Sequence, residues 1–182
     1  MNKVTDLSKT IVALATALGS GSIAIIRVSG SIAIKIVNKI YYGTDLTKVE
    51  ANSIHFGRIL NSGNEIDQVL ISVFKAPQSY TGEDCIEISC HANPFIVNEI
   101  IELLIKEGAC LAKNGEFTLR AFLNGKIDLS QAEAVASIID AKSKKGMHNS
   151  LLLLEGALSS KMNMIREELI NILSYLELDL DF

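Results

Sequence analysis

The hydrophobic pattern changes period once, and that change limits the fold more than any other feature of the chain. From Thr10 to Ala112, short β-branched runs alternate with amphipathic helical stripes, whereas from Glu116 onward apolar residues recur at helical spacing to the last residue. Strands interleaved with helices predict an α/β (α+β) mixed sheet, and a wholly helical remainder predicts the first helices of an all-α domain. The sequence thus reads as an α/β domain at 1–116 followed by a helical region at 117–182.

TIVALAT at 10–16 and IAIIRV at 23–28 read as strands joined by a glycine-rich turn at 17–22. A strand rather than a helix follows that turn, and no GxxxxGK occurs in the chain, so no mononucleotide P-loop is read here. Ser29 and Ser31 are candidate caps for a helix with apolar Ile32, Ala33, Ile36, Val37 and Ile40, ended by Gly43. Residues 53–60 and 66–74 predict a hairpin around 61–65, and CIEISC at 85–90 predicts a further strand. Asn93 and Pro94 supply an N-cap and first helical residue for a stripe of Ile96, Val97, Ile100, Ile101 and Leu104, stopped at Gly108. A short strand at 109–112 closes this part.

Downstream, 116–123 predicts a helix stopped at Gly125, and Ser130 with Glu133 reads as a capping box for the next helix. One long helix is expected from Met147, with apolar positions at 151, 154, 158, 162, 165, 169, 172 and 176. Such a seam calls for another helix to cover it. Phe117 and Phe122 read as packing between the two layers, and Arg120 with Asp128 as a structural ion pair.

Two charges sit badly in their strands. Alternation places Arg27 on a face with Ile23 and Ile25, and Glu87 lies in mid-strand among β-branched neighbours. A charge withdrawn from water needs a partner: for Arg27 a carboxylate of the protein or an anionic ligand, and for Glu87 a ligand or a pair with Arg27 or Lys126, unless Glu87 is simply exposed on a wet face.

Composition narrows the classes. The 182 residues are 48% hydrophobic and 21% charged with two prolines, which fits a folded chain rather than a disordered one. The net charge of −4, with no basic cluster larger than Lys142, Lys144 and Lys145, lacks the footprint of a self-sufficient nucleic-acid binder. No apolar run reaches membrane-spanning length and the N-terminus lacks an apolar leader segment, so the reading is cytoplasmic with no membrane role. Cys85, Cys90 and Cys110, even with His91 beside Cys90, lack metal-ligand spacing and read as reduced fillers; no metal site is assigned.

Four segments carry a resemblance: TIVALAT with IAIIRVSG at 10–30, SYTGEDCIEISCH at 79–91, GEFTLRAFLNGKIDLSQAEA at 115–134 and LELDLDF at 176–182. In that order they resemble the N-terminal part of the MnmE (TrmE) family of tRNA modification GTPases. The resemblance implies a domain similar to the folate-binding domain of the glycine-cleavage aminomethyltransferase, which forms a homodimer and binds 5-formyltetrahydrofolate. It also implies a helical domain interrupted by a Ras-like GTPase domain; GTP, Mg and K would belong to that domain, which this sequence does not contain. With a flavin-dependent partner protein, the family modifies the wobble uridine of tRNA using a folate one-carbon donor. By motif position its folate contacts fall on Arg27, Glu87 and Lys126, and no catalytic residue is carried over.

The sequence departs from the family's usual pattern in three places. The first loop has Ala17, Leu18 and GSGS in place of a proline and paired glycines, Ala92 and Asn93 replace Gly-Gly after His91, and Asn114 replaces a proline before GEFT. Side chains at 92 and 93 are expected to narrow a backbone-lined cleft, which supports an alternative: an assembly and dimerisation module that no longer binds folate. A free-standing aminomethyl transferase would instead need a general base, for which His91 and Asp84 are the nearby candidates.

Overall fold

A computed structural model describes residues 7–17, 19 and 21–180. Leu18 and Ser20 of the turn expected at 17–22, and the last two residues of LELDLDF, lie outside the described residues. Among the described residues, β1 (Ile11–Leu14), β2 (Ile23–Ser29), β3 (Tyr41–Tyr42), β4 (Ser53–Asn61), β5 (Asn64–Phe74), β6 (Cys85–His91) and β7 (Cys110–Leu111) form one sheet. Its order is β3-β4-β5-β6-β2-β1-β7. All neighbours run antiparallel except β1 and β7, so the sheet is mixed as expected.

Helices α1 (Ala33–Ile40) and α2 (Pro94–Lys106) follow β2 and β6. Their buried stripes join Val12, Ile26, Val28, Ile71, Ile86 and Ile88 in one core cluster. Period-2 alternation sends these strand residues to one face of the sheet and leaves the other face open. On the open face Ile23, Ile54, Phe56 and Leu70 remain 47 to 67% exposed.

The α2 cap follows the expected form: Asn93 accepts from the Phe95 N–H at 2.9 Å and Pro94 opens the helix. The α1 start differs. Its N-cap is Ile32 without a side-chain bond, because the Ser29 hydroxyl is engaged by Thr81 at 2.7 Å and Glu83 at 2.8 Å. Gly43 does not end α1 either, since Tyr41–Tyr42 turns at once into β3.

The chain separates into two compact units, Met1–Lys126 and Ile127–Phe182. Helix α3 (Glu116–Leu123) therefore belongs with the sheet, and the division falls later than the 116/117 boundary expected from the pattern. The physical reason is Arg120. Its side chain is 1% exposed and donates to both Glu83 oxygens at 3.1 and 3.2 Å and to Glu116 at 3.0 Å. This corrects the expected pairing with Asp128: a buried guanidinium fork fixes α3 to the loop between β5 and β6.

The second unit holds α4 (Leu129–Ile139), α5 (Lys144–Leu154) and α6 (Ala157–Leu180). Its capping box is formed by Asp128 and Gln131, two residues earlier than the Ser130 and Glu133 pairing expected. The Asp128 carboxylate also accepts from Ser130 and Ser159. The single helix expected from Met147 is broken at Gly156, whose φ of 86° ends α5 with a left-handed residue. Along α6 the expected seam is uncovered, Met162, Ile165, Leu169, Ile172 and Leu176 being 52 to 59% exposed.

Two stability changes are expected. Arg120→Met leaves Glu83 and Glu116 without their cation, and urea unfolding should show a loss of about 3–5 kcal/mol. Asp128→Ala should lower the thermal midpoint of the helical unit followed by circular dichroism. Bonds from Ser159, then the Gln131 N–H and Ser130, hold the Asp128 carboxyl below its ordinary pKa of 3.8. The contribution is thus complete above that value and lost as pH falls through the lowered one, so wild type and variant should converge in acid.

Candidate functional site

β2 and β6 are paired in register, which sets Arg27 directly across from Glu87 on the open face. The guanidinium donates through Nε at 2.9 Å and Nη2 at 2.6 Å, both to Glu87 Oε1. Of the two partners the sequence offered for Glu87, the structure selects Arg27. Both side chains are about a quarter exposed, at 26 and 24%. Ile23 on the same face is 65% exposed, so the pair stands at an accessible surface: Arg27 is not desolvated there, and Glu87 combines the ion pair with the exposure that its sequence left open.

Shielding comes from two rings that the strand pattern did not foretell. Tyr80 and Phe117 lie with their centroids 5.4 and 5.6 Å from Arg27 Cζ, within cation–π range. Phe117 is therefore a contact of the site rather than packing between layers. Tyr80 is positioned through its hydroxyl, 3.0 Å from the Thr118 hydroxyl on α3. Arg120 secures the same loop through Glu83, and Asn124 through the Thr81 carbonyl at 2.7 Å. The available signal was the SYTGED segment, whose Glu83 reads in sequence as an ordinary loop residue.

Lys126 is placed beside this loop but not on the ion pair. Its ammonium donates to the Pro77 carbonyl at 3.0 Å. Its stem runs past Gly82, where an added Cβ would come within 3.3 and 3.4 Å of Lys126 carbons. Gly82 also has a φ of 77°, so turn conformation and close approach both favour glycine there. Arg27 and Glu87 are thus joined directly, and Lys126 shares only their loop.

Glu87 keeps chemical capacity in this arrangement. Arg27 occupies Oε1 alone, leaving Oε2 to accept from a ligand, and the pair presents an acceptor beside a donor under aromatic cover. That surface suits a flat polar ring with adjacent N–H donors.

At the far end of β6 lies a second polar arrangement. Asp67 is only 8% exposed, in phase with Val69, Ile71 and Val73 on the buried face. Its carboxylate accepts from the His91 backbone N–H at 2.8 Å and contacts His91 Nδ1 at 2.7 Å. Cys90 points to the opposite face and is buried, so the adjacent cysteine and histidine do not converge. Burial pushes the Cys85 thiol up to about 12 and the Cys90 thiol to about 11. Among the described residues no group of three metal-ligating side chains occurs. Ala92 and Asn93, expected to narrow a cleft, line an open cavity of ≈ 770 Å³ with Gly19, Gly21, Ser22 and His91. Asp84, the other candidate base, accepts from the Ala76 N–H at 3.0 Å.

Comparison with known proteins gives two domain matches. Residues 10–126 match the family model described as "GTP-binding protein TrmE N-terminus", and residues 129–182 match the "MnmE helical domain". The tRNA modification GTPase MnmE of Flavobacterium johnsoniae is 50% identical over 176 residues, covering 95% of this chain and 38% of its own length. The protein of that name from Bacillus cytotoxicus is 45% identical over 175 residues, covering 95 and 38%. That from Streptococcus mutans is 45% identical over 179 residues, covering 98 and 39%. The chain therefore spans less than two-fifths of the length of these relatives. Both domain matches fall in chain order on the two compact units, and this chain belongs to the MnmE (TrmE) family.

Proposed function

We propose that this chain is the tetrahydrofolate-binding and dimerising N-terminal region of a tRNA modification GTPase. In this reading the full-length protein works in the cytoplasm with a flavin-dependent partner and modifies the wobble uridine of tRNA with a folate one-carbon unit. GTP, Mg and K would act in a GTPase domain outside these residues, and this stretch alone should not hydrolyse GTP. The relatives' shared name supports the GTPase and tRNA parts.

The observation that carries the folate reading is the accessible Arg27–Glu87 pair under Tyr80 and Phe117. A pterin edge offers adjacent N–H donors, which a carboxylate with a free oxygen accepts, while its flat ring stacks on aromatic faces. Arg27 would then meet a carbonyl oxygen, and Lys126 would join by exchanging the Pro77 carbonyl for the ligand. The residues bind and orient; they supply no general base.

The open sheet face supports a homodimer, because Ile23, Ile54, Phe56 and Leu70 form an uncovered apolar surface next to the pair. The same observation favours the second reading, an assembly module that ignores folate.

Calorimetric titration of 5-formyltetrahydrofolate into wild type and Glu87→Gln separates them. The first reading expects saturable binding by wild type and a roughly 10- to 100-fold loss in the variant, the range of one charge-assisted hydrogen bond. Equal affinities would remove Glu87 from the site. A scattering mass near twice the 19.7 kDa of one chain, with no folate binding, would leave the assembly reading.

A further inference from the structure

The open face of the sheet is a lattice whose rows can be read from the strand registers. Glu87 faces Arg27, Ser89 faces Ile25, and His91 faces Ile23. Since alternate residues of a strand share a face, Glu87, Ser89 and His91 form one file along β6. Its ends are four positions apart, roughly 13 Å at about 3.3 Å per residue. A shallow cavity of ≈ 170 Å³ reaches from His91 along this file, with Ser89, Ile23, Leu70 and Phe56 in its wall. The file thus has a charged head under aromatic rings, a middle of mixed hydroxyl and aliphatic groups, and an imidazole at its far end.

That imidazole is held in a particular way. The β5–β6 ladder runs as far as Leu70 and Ser89, and beyond it the Asp67 carboxylate takes over. Oδ2 accepts the His91 backbone N–H, which already satisfies the strand end. Oδ1 is directed to the ring at Nδ1, and it also accepts the Gln68 N–H at 2.9 Å. The ladder end does not require that second bond; what it does is orient a side chain that is 70% exposed. Nε2 has no partner among the described residues. With Nδ1–H given to Asp67, the remaining ring nitrogen, Nε2, belongs to an exposed side chain and donates to an arriving acceptor when it carries a proton.

We propose that His91, positioned by Asp67, is the tail contact of an extended head-and-tail ligand whose head occupies Arg27 and Glu87, and that the tail group it receives is a carboxylate. The inference rests on the folate reading, in which that tail is the glutamyl carboxylate; the separation along β6 matches a ligand whose acid lies well beyond its ring. Metal binding is disfavoured, because no group of three metal-ligating side chains occurs among the described residues.

The test compares 5-formyltetrahydrofolate with the amide of 5-formyltetrahydropteroate, which has the same head and carries no carboxylate, in calorimetric titrations of the 182-residue chain. Wild type should bind the folate roughly tenfold more tightly, as one charge-assisted bond allows. His91→Ala, a change at an exposed ring, should bring the folate down to the affinity of the pteroate amide and leave the amide unchanged. A variant that keeps the wild-type preference, or a wild type that binds both compounds equally, overturns the tail contact while leaving the folate reading in place. A wild type that binds neither overturns both.

Discussion

The buried guanidinium of Arg120 is the interaction on which the arrangement of the site depends. It holds Glu83 from one side and Glu116 from the other, so a loop between two strands and a helix far along the chain become one rigid support. Everything that covers the Arg27–Glu87 pair is mounted on that support. Tyr80 comes from the loop, Phe117 from the helix, and Lys126 and Asn124 close the assembly by bonds to loop carbonyls. A buried cation between two carboxylates is not an economical way to add stability, because desolvation offsets most of the attraction. Its value lies in direction: a planar fork fixes angles as well as distance, which apolar packing would not do.

The sheet shows a division of labour set by a two-residue period. One face is filled by aliphatic side chains against α1 and α2, and its interior positions are almost fully buried. The other displays charge, hydroxyl and exposed hydrophobic groups in rows. The same backbone hydrogen bonds therefore provide both a core and a surface on which side chains stand at regular intervals. Arg27 and Glu87 owe their meeting to this lattice, since cross-strand register alone brings them together.

How much of this was legible in the sequence depended on whether the cause was local. Period-2 and period-3.6 patterns, the Asn93–Pro94 start and the Gly108 stop are local, and they mark out the sheet and its two packed helices. Arg27 and Glu87 were visible because each broke the pattern of its own strand. Proximity in sequence points Arg120 to Asp128, whereas its long-range partner Glu83 arrives through tertiary folding. Asp67 carried a readable signal in its phase with Val69, Ile71 and Val73, a carboxylate on the buried face; it gained meaning only when His91 was found beside it. The break at Gly156 was hidden because an apolar repeat can continue in phase across a glycine whose φ has changed sign.

The cross-strand pair has a further consequence for the approach of a ligand. Arg27 and Glu87 neutralise one another before anything binds, so from a distance the pair is a short dipole rather than a charge. A dipole's field fades faster with distance than that of a single ion, and at physiological ionic strength it is screened within about 8 Å. The pair therefore does not draw molecules from afar. In the proposed folate reading it would discriminate at contact, by whether an arriving ring satisfies an acceptor and a donor held side by side, and its rate of encounter should depend little on salt.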